Sequence, residues 1–396
     1  MDDGPEREVS RPDVPDWDVS GRDALNRDTP VPLEPVPGAR QPARPLARRR
    51  ERQIPRQIDV ARLARVSPAV VSRVLNSRPG SPDSTVRLSE ATRQRVLAAI
   101  NELGYKPNVL AQGLRTRRSG GVGVVVKSLH TSFNGRLLSG VESVMEAAGM
   151  HLMVSSGRGR AETEAEAIAF LLERRCDALI LSPSATDDAA LSDLGRGEVP
   201  VIVVGHAVAG LEERCVALAD AQGGRLATEH LLGAGLERVA HIAGPPGNRA
   251  ARARLEGYRS ALERRGLAYD PRLVLEGDYS KRSGYEAARA LLARGFVNQG
   301  AGGIFVANDR MAEGALERLA ECGVRVPHKV SVVGYDNTLV APYLRPALTT
   351  VRQPIFEVGV AAAQLALAAL GAHEGEVTRW FEPQLVVRDS VAALRA

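Results

Sequence analysis

At 396 residues, with 44% hydrophobic and 25% charged side chains, the chain carries apolar material for two or three globular domains and is too long for one. No run of about eighteen apolar residues occurs, which excludes a helical membrane span, and three scattered cysteines (Cys176, Cys215, Cys322) exclude a disulfide framework or zinc cluster. With no apolar leader behind a basic start, a cytoplasmic, nucleoid-associated protein is expected.

The net charge of +5 is unevenly spread: residues 1–40 carry −5, residues 41–118 carry +12, and the remainder sums to −2. That short positive segment has the footprint of a nucleic-acid-binding element, although a solvated basic tail has the same composition.

Residues 1–53 are rich in Pro, Arg and Asp, lack a helical or strand period, and are expected to be a disordered extension. The run Arg48–Arg50 within them either adds phosphate contacts or is simply solvated.

Residues 54–106 read as a compact helical head. In Ile58–Leu75 (IDVARLARVSPAVVSRVL), Val60, Ala61 and Ala64 share one face of a first helix. After a tight turn, Ser67 is placed to cap the next helix and Pro68 to occupy its first position, where a missing N–H costs nothing. Val66, Val70, Val71 and Val74 pack back on the first helix, and a third helix spans Glu90–Leu103. Pro68, Ala69 and Arg73 remain near the exposed leading end, with 69 and 73 one turn apart. Entering a major groove end-on, such a helix offers small apolar groups to thymine methyls and an arginine to guanine edges. A plain helical hairpin without a ligand has the same local pattern.

From Gly121 the texture becomes short β-branched runs alternating with amphipathic helices. The strands are expected at Val122–Val126, Leu152–Ser155, Ala178–Leu181, Val201–Val204, Val239–Ala243, Ile304–Ala307 and Val330–Val333. The helices are expected at Leu137–Ala148, Glu164–Arg174, Gly224–Gly233, Leu255–Arg265, Gly284–Ala293 and Met311–Cys322. This alternation predicts an α/β body of doubly wound parallel sheets. Its length, roughly 120–396, exceeds the needs of one sheet and predicts two lobes with a cleft.

Several motifs occur in one order: DVA (Asp59–Ala61), VSxxxVSRVLN (Val66–Asn76), SEATRQRV (Ser89–Val96) and LGYKPNVLAQGL (Leu103–Leu114). HIAGPP (His241–Pro246), RLEGY (Arg254–Tyr258), GDYSKRSGY (Gly277–Tyr285), VANDRMAEGAL (Val306–Leu316), VPHKVSVVGYDN (Val326–Asn337) and LTTVRQP (Leu348–Pro354) follow. In these the chain resembles the LacI/GalR family of bacterial transcriptional regulators over about 340 residues. The resemblance implies a periplasmic-binding-protein-like pair of lobes joined by three crossovers, and a hinge helix and linker over 107–119. It implies DNA contacts by Ser67, Pro68, Ala69, Ser72, Arg73 and Asn76, and by Asn108, Ala111 and Leu114 of the hinge, Leu114 acting as a minor-groove wedge. By matching position the effector site would comprise Arg254, Tyr279, Asn308, Asp309 and Asp336, with Phe133 lining it.

That side-chain set suits a polyol: an arginine fork donates to neighbouring hydroxyls, carboxylates accept, and an aromatic face stacks on a sugar ring. Arg254 pairing with Asp336 across the lobes, and Asn308 and Asp309 capping a helix, would explain the same residues without a ligand. Three features depart from the family pattern in the head: Arg56 at the first helix cap, Arg65 in the turn, and a longer loop between Asn76 and Ser89. In the body, Asn134 follows Phe133, and Gly205–His206 stands where the family often has Asp.

No catalytic or metal motif competes: there is no phosphate-loop lysine, HExxH or serine elbow, and Gly120–Gly123 precedes its strand. The expectation is a homodimeric, non-enzymatic regulator, in the family's manner a repressor, without cofactor or metal. It would bind a near-palindromic double-stranded operator under control of a sugar or sugar derivative. The alternative is a solute-binding protein without DNA function, which leaves the head unexplained.

Overall fold

A computed structural model describes residues 55–76, 88–106, 118–129, 131–182, 185–298, 300–392. The chain divides into two compact units, Met1–Pro107 and Asn108–Ala396. The expected extension over 1–53, the loop after Asn76 and the hinge residues Asn108, Ala111 and Leu114 lie outside the described residues.

The first unit contains α1 (Gln57–Ala64), α2 (Pro68–Asn76) and α3 (Glu90–Leu103). Val60, Ala61, Ala64, Val71, Val74, Val96 and Ala99 form its core, with Val66 and Val70 at the margin. Arg56 caps α1 poorly, so the cap comes from within the helix: the Asp59 carboxylate accepts from the Arg56 amide at 2.8 Å. Arg65 takes the left-handed conformation at φ 53°, and the Val66 amide returns to the Ala61 carbonyl at 3.0 Å. This is a Schellman ending with arginine in the position glycine usually fills, at a cost of about 1 kcal/mol. The Ser67 carbonyl accepts the Val70 and Val71 amides at 3.0 and 3.3 Å, and the Gln57 side chain donates to the Pro68 carbonyl at 2.8 Å. At the start of α3 the Ser89 hydroxyl accepts from the Thr92 amide.

The second unit is built on two six-stranded sheets. The first lobe holds β1 (Gly121–Val126), α4 (Ser132–Ala147), β2 (His151–Ser156), α5 (Ala161–Glu173), β3 (Ala178–Leu181), α6 (Asp188–Gly195), β4 (Val201–Gly205) and β5 (Cys215–Leu218). The second holds α7 (Asp220–Gly233), β6 (Val239–Ala243), α8 (Arg249–Arg264), β7 (Val274–Glu276), α9 (Lys281–Ala293), β8 (Gly302–Val306), α10 (Asp309–Glu321), β9 (Val330–Tyr335) and β10 (Thr349–Arg352). The chain then returns through α11 (Ile355–Ala369) and β11 (Trp380–Phe381) to the first lobe and ends with β12 (Gln384–Val386) in the second. Strand orders are β11-β5-β4-β3-β1-β2 and β12-β10-β9-β8-β6-β7, every pairing parallel except β10 with β12. Three crossovers join the lobes, after β5, β10 and β11.

Within the described residues the expected strands and helices occur, most of the body helices starting three to five residues earlier than their apolar period. The missed elements have physical reasons. β5, β7, β10, β11 and β12 are four residues or fewer, too short to show alternation, and α6 is only eight residues, barely two helical turns. α11 buries nine of its 15 residues against the first-lobe sheet and α4. Its exposed positions include the apolar Phe356, Ala368 and Ala369, so its polar face is too narrow to show a period.

His241 on β6 is fully buried in the second lobe. Its ring stacks 5.3 Å from Tyr258 and 4.5 Å from Phe305, Nδ1 donates to the Phe305 carbonyl at 3.0 Å, and Nε2 has no partner among the described residues. Burial is the main cause that holds it down to about 4 from an ordinary 6.5. Folding therefore keeps the imidazole neutral; stability is complete above 6.5 and drains away as pH falls from 6.5 to 4, by up to about 1.4 kcal/mol per pH unit. The His241→Phe variant should lose this part of the acid limb in urea melts between pH 7 and 4; an unchanged pH dependence would assign the limb elsewhere.

Candidate functional site: an interlobe cleft and a helix-turn-helix head

A cleft of 660 Å³ lies between the two lobes, at the carboxyl ends of the strands. Phe133, Lys127 and His206 come from the first lobe, and Arg254, Tyr279 and Asp336 from the second.

Arg254 is the best-fixed group. It projects from α8 and is 5% exposed. Nε donates to Asp220 Oδ1 at 2.8 Å and Nη1 to the Ala307 carbonyl at 2.6 Å, while the guanidinium lies 3.7 Å from the Tyr335 ring centre. Burial opposes its charge, but the Asp220 carboxylate more than compensates and raises it further above its ordinary value. Nη2 takes part in neither bond. Asp220 opens α7 directly after the first crossover; its Oδ1 also accepts from Tyr335 at 3.1 Å and from Gln353, on the second crossover, at 3.0 Å. This cleft-lining arginine is thus bonded into two of the segments that join the lobes.

α7 and α8 must touch for this to work. A Cβ on Gly257 would run into the Ala221 carbonyl, and one on Gly224 into the Arg254 carbonyl. These two glycines let the helix backbones meet and set the depth of Arg254.

Tyr279 presents its ring to the cleft from a left-handed backbone at φ 71°. Its hydroxyl donates to Asn248 Oδ1 at 3.1 Å, its carbonyl accepts from Asn308 Nδ2 at 3.2 Å, and Lys127 Nζ of the other lobe lies 5.4 Å from the ring centre. Burial raises its hydroxyl to about 12, so it stays neutral. Gly244 leaves the space the ring fills; any Cβ there would strike it. Asp336 also has a positive φ, 101°. Burial, with Asp309 and Asp220 nearby, pushes its carboxyl up to about 7 against the pull of Arg254 and Arg136. Two strained non-glycine residues on one wall fit the clustering of backbone strain at binding sites.

Asn308 lines the cleft and also caps α10, accepting from the Met311 amide at 2.9 Å. Asp309 is fully buried and turned to other work. Its oxygens accept from Thr350 Oγ1 at 2.5 Å and from the Thr338 amide and hydroxyl at 2.7 and 3.0 Å, tying α10 to β10 and the loop after β9. The expected set therefore divides: Phe133, Arg254, Tyr279, Asn308 and Asp336 line the cleft, whereas Asp309 braces it. Arg254 and Asp336 share the second lobe and do not pair; the partner of Arg254 is Asp220.

Sequence reasoning missed Asp220 and Glu164, and noted His206, which lines the cleft, only as a departure from the family pattern. Asp220 ends the short run Val216–Asp220, where the turn into α7 was the only signal. Glu164, 2% exposed, accepts from the Ala185 and Thr186 amides at 3.2 and 2.9 Å and from the Thr186 hydroxyl at 2.7 Å, fixing one wall. No pattern in sequence marks such a brace. Among the described residues no group of acidic, histidine or cysteine side chains is arranged to hold a metal, and no helix is long and apolar enough to cross a membrane.

In the head, Ser67, Pro68 and Ala69 are exposed at the start of α2, Arg73 is exposed one turn further along it, and Ser72 is half-buried. Asn76 closes that helix.

Residues 58–108 match the bacterial regulatory proteins of the lacI family, and residues 228–391 a periplasmic binding protein-like domain. The chain is 37% identical to the HTH-type transcriptional regulator GalR of Escherichia coli K12 over 84% of its own length and 95% of that protein. It is similar in structure to a lac repressor dimer bound to operator and an anti-inducer, with a TM-score of 0.74 at 30% identity over 86% of this chain and 99% of that one. A complex of the regulator CelR with cellobiose gives a TM-score of 0.62 at 34% identity over 85% and 99%. A helix-turn-helix head and a binding-protein-like body on one polypeptide define a DNA-binding transcriptional regulator. The chain belongs to the lacI family of bacterial regulatory proteins.

Proposed function

We propose that the protein is a homodimeric repressor of a near-palindromic operator, and that a sugar or sugar derivative in the interlobe cleft changes its operator affinity. The observation that carries this reading is the fixed arrangement of Arg254 beside Asp336, Asn308 and the Tyr279 face. The Arg254 Nη2 donor, the acceptors and the aromatic plane are the complements of the hydroxyls and the apolar face of a pyranose. The relative in complex with cellobiose supports the same class of ligand. The bonds from Arg254 through Asp220 to Gln353 connect ligand contact to two crossovers, so occupancy biases the lobe angle and, through residues 107–119, the two heads.

On the operator, α2 enters the major groove with Ser67, Pro68, Ala69, Ser72, Arg73 and Asn76 toward the bases and backbone. Asn108 and Ala111 contact the DNA beside the minor groove that Leu114 wedges open. The Arg73→Ala variant should lose discrimination at one base pair per half-site, at a cost of about 1–3 kcal/mol, while its salt dependence changes by no more than one phosphate contact. Anisotropy titrations on single-substitution duplexes check this; a uniform loss on every duplex would make Arg73 a phosphate contact instead.

A further inference from the structure

At the rim of the cleft the protein ties its own lobes together. Asp188, the first residue of α6, uses each carboxylate oxygen toward a different lobe. Oδ1 meets His206 Nε2, from the end of β4, at 3.0 Å; Oδ2 meets Arg249 Nη2, the first residue of α8, at 2.5 Å. His206 and Arg249 line the cleft, whereas Asp188 stands behind them. Each wall is already ordered around this point. Asp187 caps α6 through the Ala190 amide at 2.8 Å, which frees the neighbouring Asp188 carboxylate for the bridge. Asn248 caps α8 through the Ala251 amide at 3.0 Å, and the same Oδ1 receives the Tyr279 hydroxyl. The aromatic platform, the α8 cap and the bridging arginine are therefore adjacent links. Two further contacts cross at the same level: Arg136 Nη1 to the Asn337 carbonyl at 3.4 Å, and Lys127 over Tyr279.

We propose that Asp188 is a positioning residue of the effector site. With Arg249 and His206 it forms a clasp that holds the cleft walls together and sets effector affinity without itself touching the ligand. This rests on the reading of the cleft as the effector site. A ligand that contacts both walls binds the closed arrangement, so its apparent affinity scales with the fraction of molecules already closed. The half-exposed clasp shifts that fraction without locking it, which leaves the cleft able to admit a ligand.

The test has a distance arm and a binding arm. Spin labels go on Glu162→Cys and Arg282→Cys, exposed positions at the cleft ends of α5 and α9, in a Cys322→Ser background that removes the one exposed thiol among Cys176, Cys215 and Cys322. Asp188→Ala and Arg249→Ala should each lengthen the interlobe distance, and the double variant should lengthen it no further. Asp193→Ala, on the same helix but paired with Arg196 of the same lobe, should leave it unchanged. Calorimetry with cellobiose and galactose as probes should show affinity about three- to tenfold weaker in the clasp variants for whichever sugar binds. Unaltered distances in Asp188→Ala and Arg249→Ala, or effects that simply add, would overturn the clasp. If neither sugar binds the parent protein, the ligand class is wrong while the distance arm still decides the clasp.

Discussion

Replacing Arg254 by alanine should abolish measurable sugar binding and lower the stability of the second unit by about 3–5 kcal/mol. Two losses combine. The ligand loses the Nη2 donor that meets its hydroxyls, and Asp220, 6% exposed, is left as a buried carboxylate without its cation. Tyr335 and Gln353 still donate to Asp220 Oδ1, but neutral donors replace a charge-assisted bond. The two losses are separable. Arg254→Lys retains the charge but loses the planar fork, and should fold better than the alanine variant while binding sugar at least tenfold more weakly than the parent. Urea melts and calorimetry on the two variants check this; sugar binding that survives Arg254→Ala would remove the arginine from the site.

Gly257→Val should be comparably severe for a different reason. The new side chain meets the Ala221 carbonyl and the Arg225 amide, both backbone atoms of α7, so no rotamer relieves it. The helices must separate, which withdraws Arg254 from its bonds to Asp220 and Ala307. Overpacking against backbone is expected to cost about 3 kcal/mol, or roughly 6–12 °C in the melting temperature of a unit this size. A calorimetric scan reads the second unit, and non-specific DNA binding at low salt reads the head. The prediction is a lowered transition with unchanged non-specific binding; a melting temperature within a degree of the parent would show that the helices tolerate the separation.

The head and the layered body were legible because their determinants are local and periodic. The apolar spacing of Val60, Ala61, Ala64, Val71 and Val74 states which faces meet, and Pro68 marks where the second helix begins. Short β-branched runs between amphipathic helices dictate parallel sheets. What stayed hidden is non-local. α11 is apolar over most of its surface because it packs on the sheet and along α4, and β5 pairs with β4 over only three residues. In the cleft, the family resemblance pointed to Arg254, Tyr279 and Asp336, yet matching position offered no way to separate Asn308, which lines the cleft, from Asp309, which is spent on Thr338 and Thr350. Asp220, Glu164 and Asp188 act by holding other side chains across 34, 22 and 61 residues of sequence respectively. Such braces have no period and appear only when the fold brings their partners together.

The central claim is that cleft occupancy and operator affinity are coupled. The direct measurement is an anisotropy titration of full-length protein on a palindromic duplex selected from random sequence, against scrambled duplex, with and without a sugar shown to bind the cleft. The account predicts at least a thousandfold preference for the selected duplex at moderate salt and a shift of about five- to 150-fold when the sugar is added. Equal affinity for both duplexes, or operator binding indifferent to a saturated cleft, would contradict it.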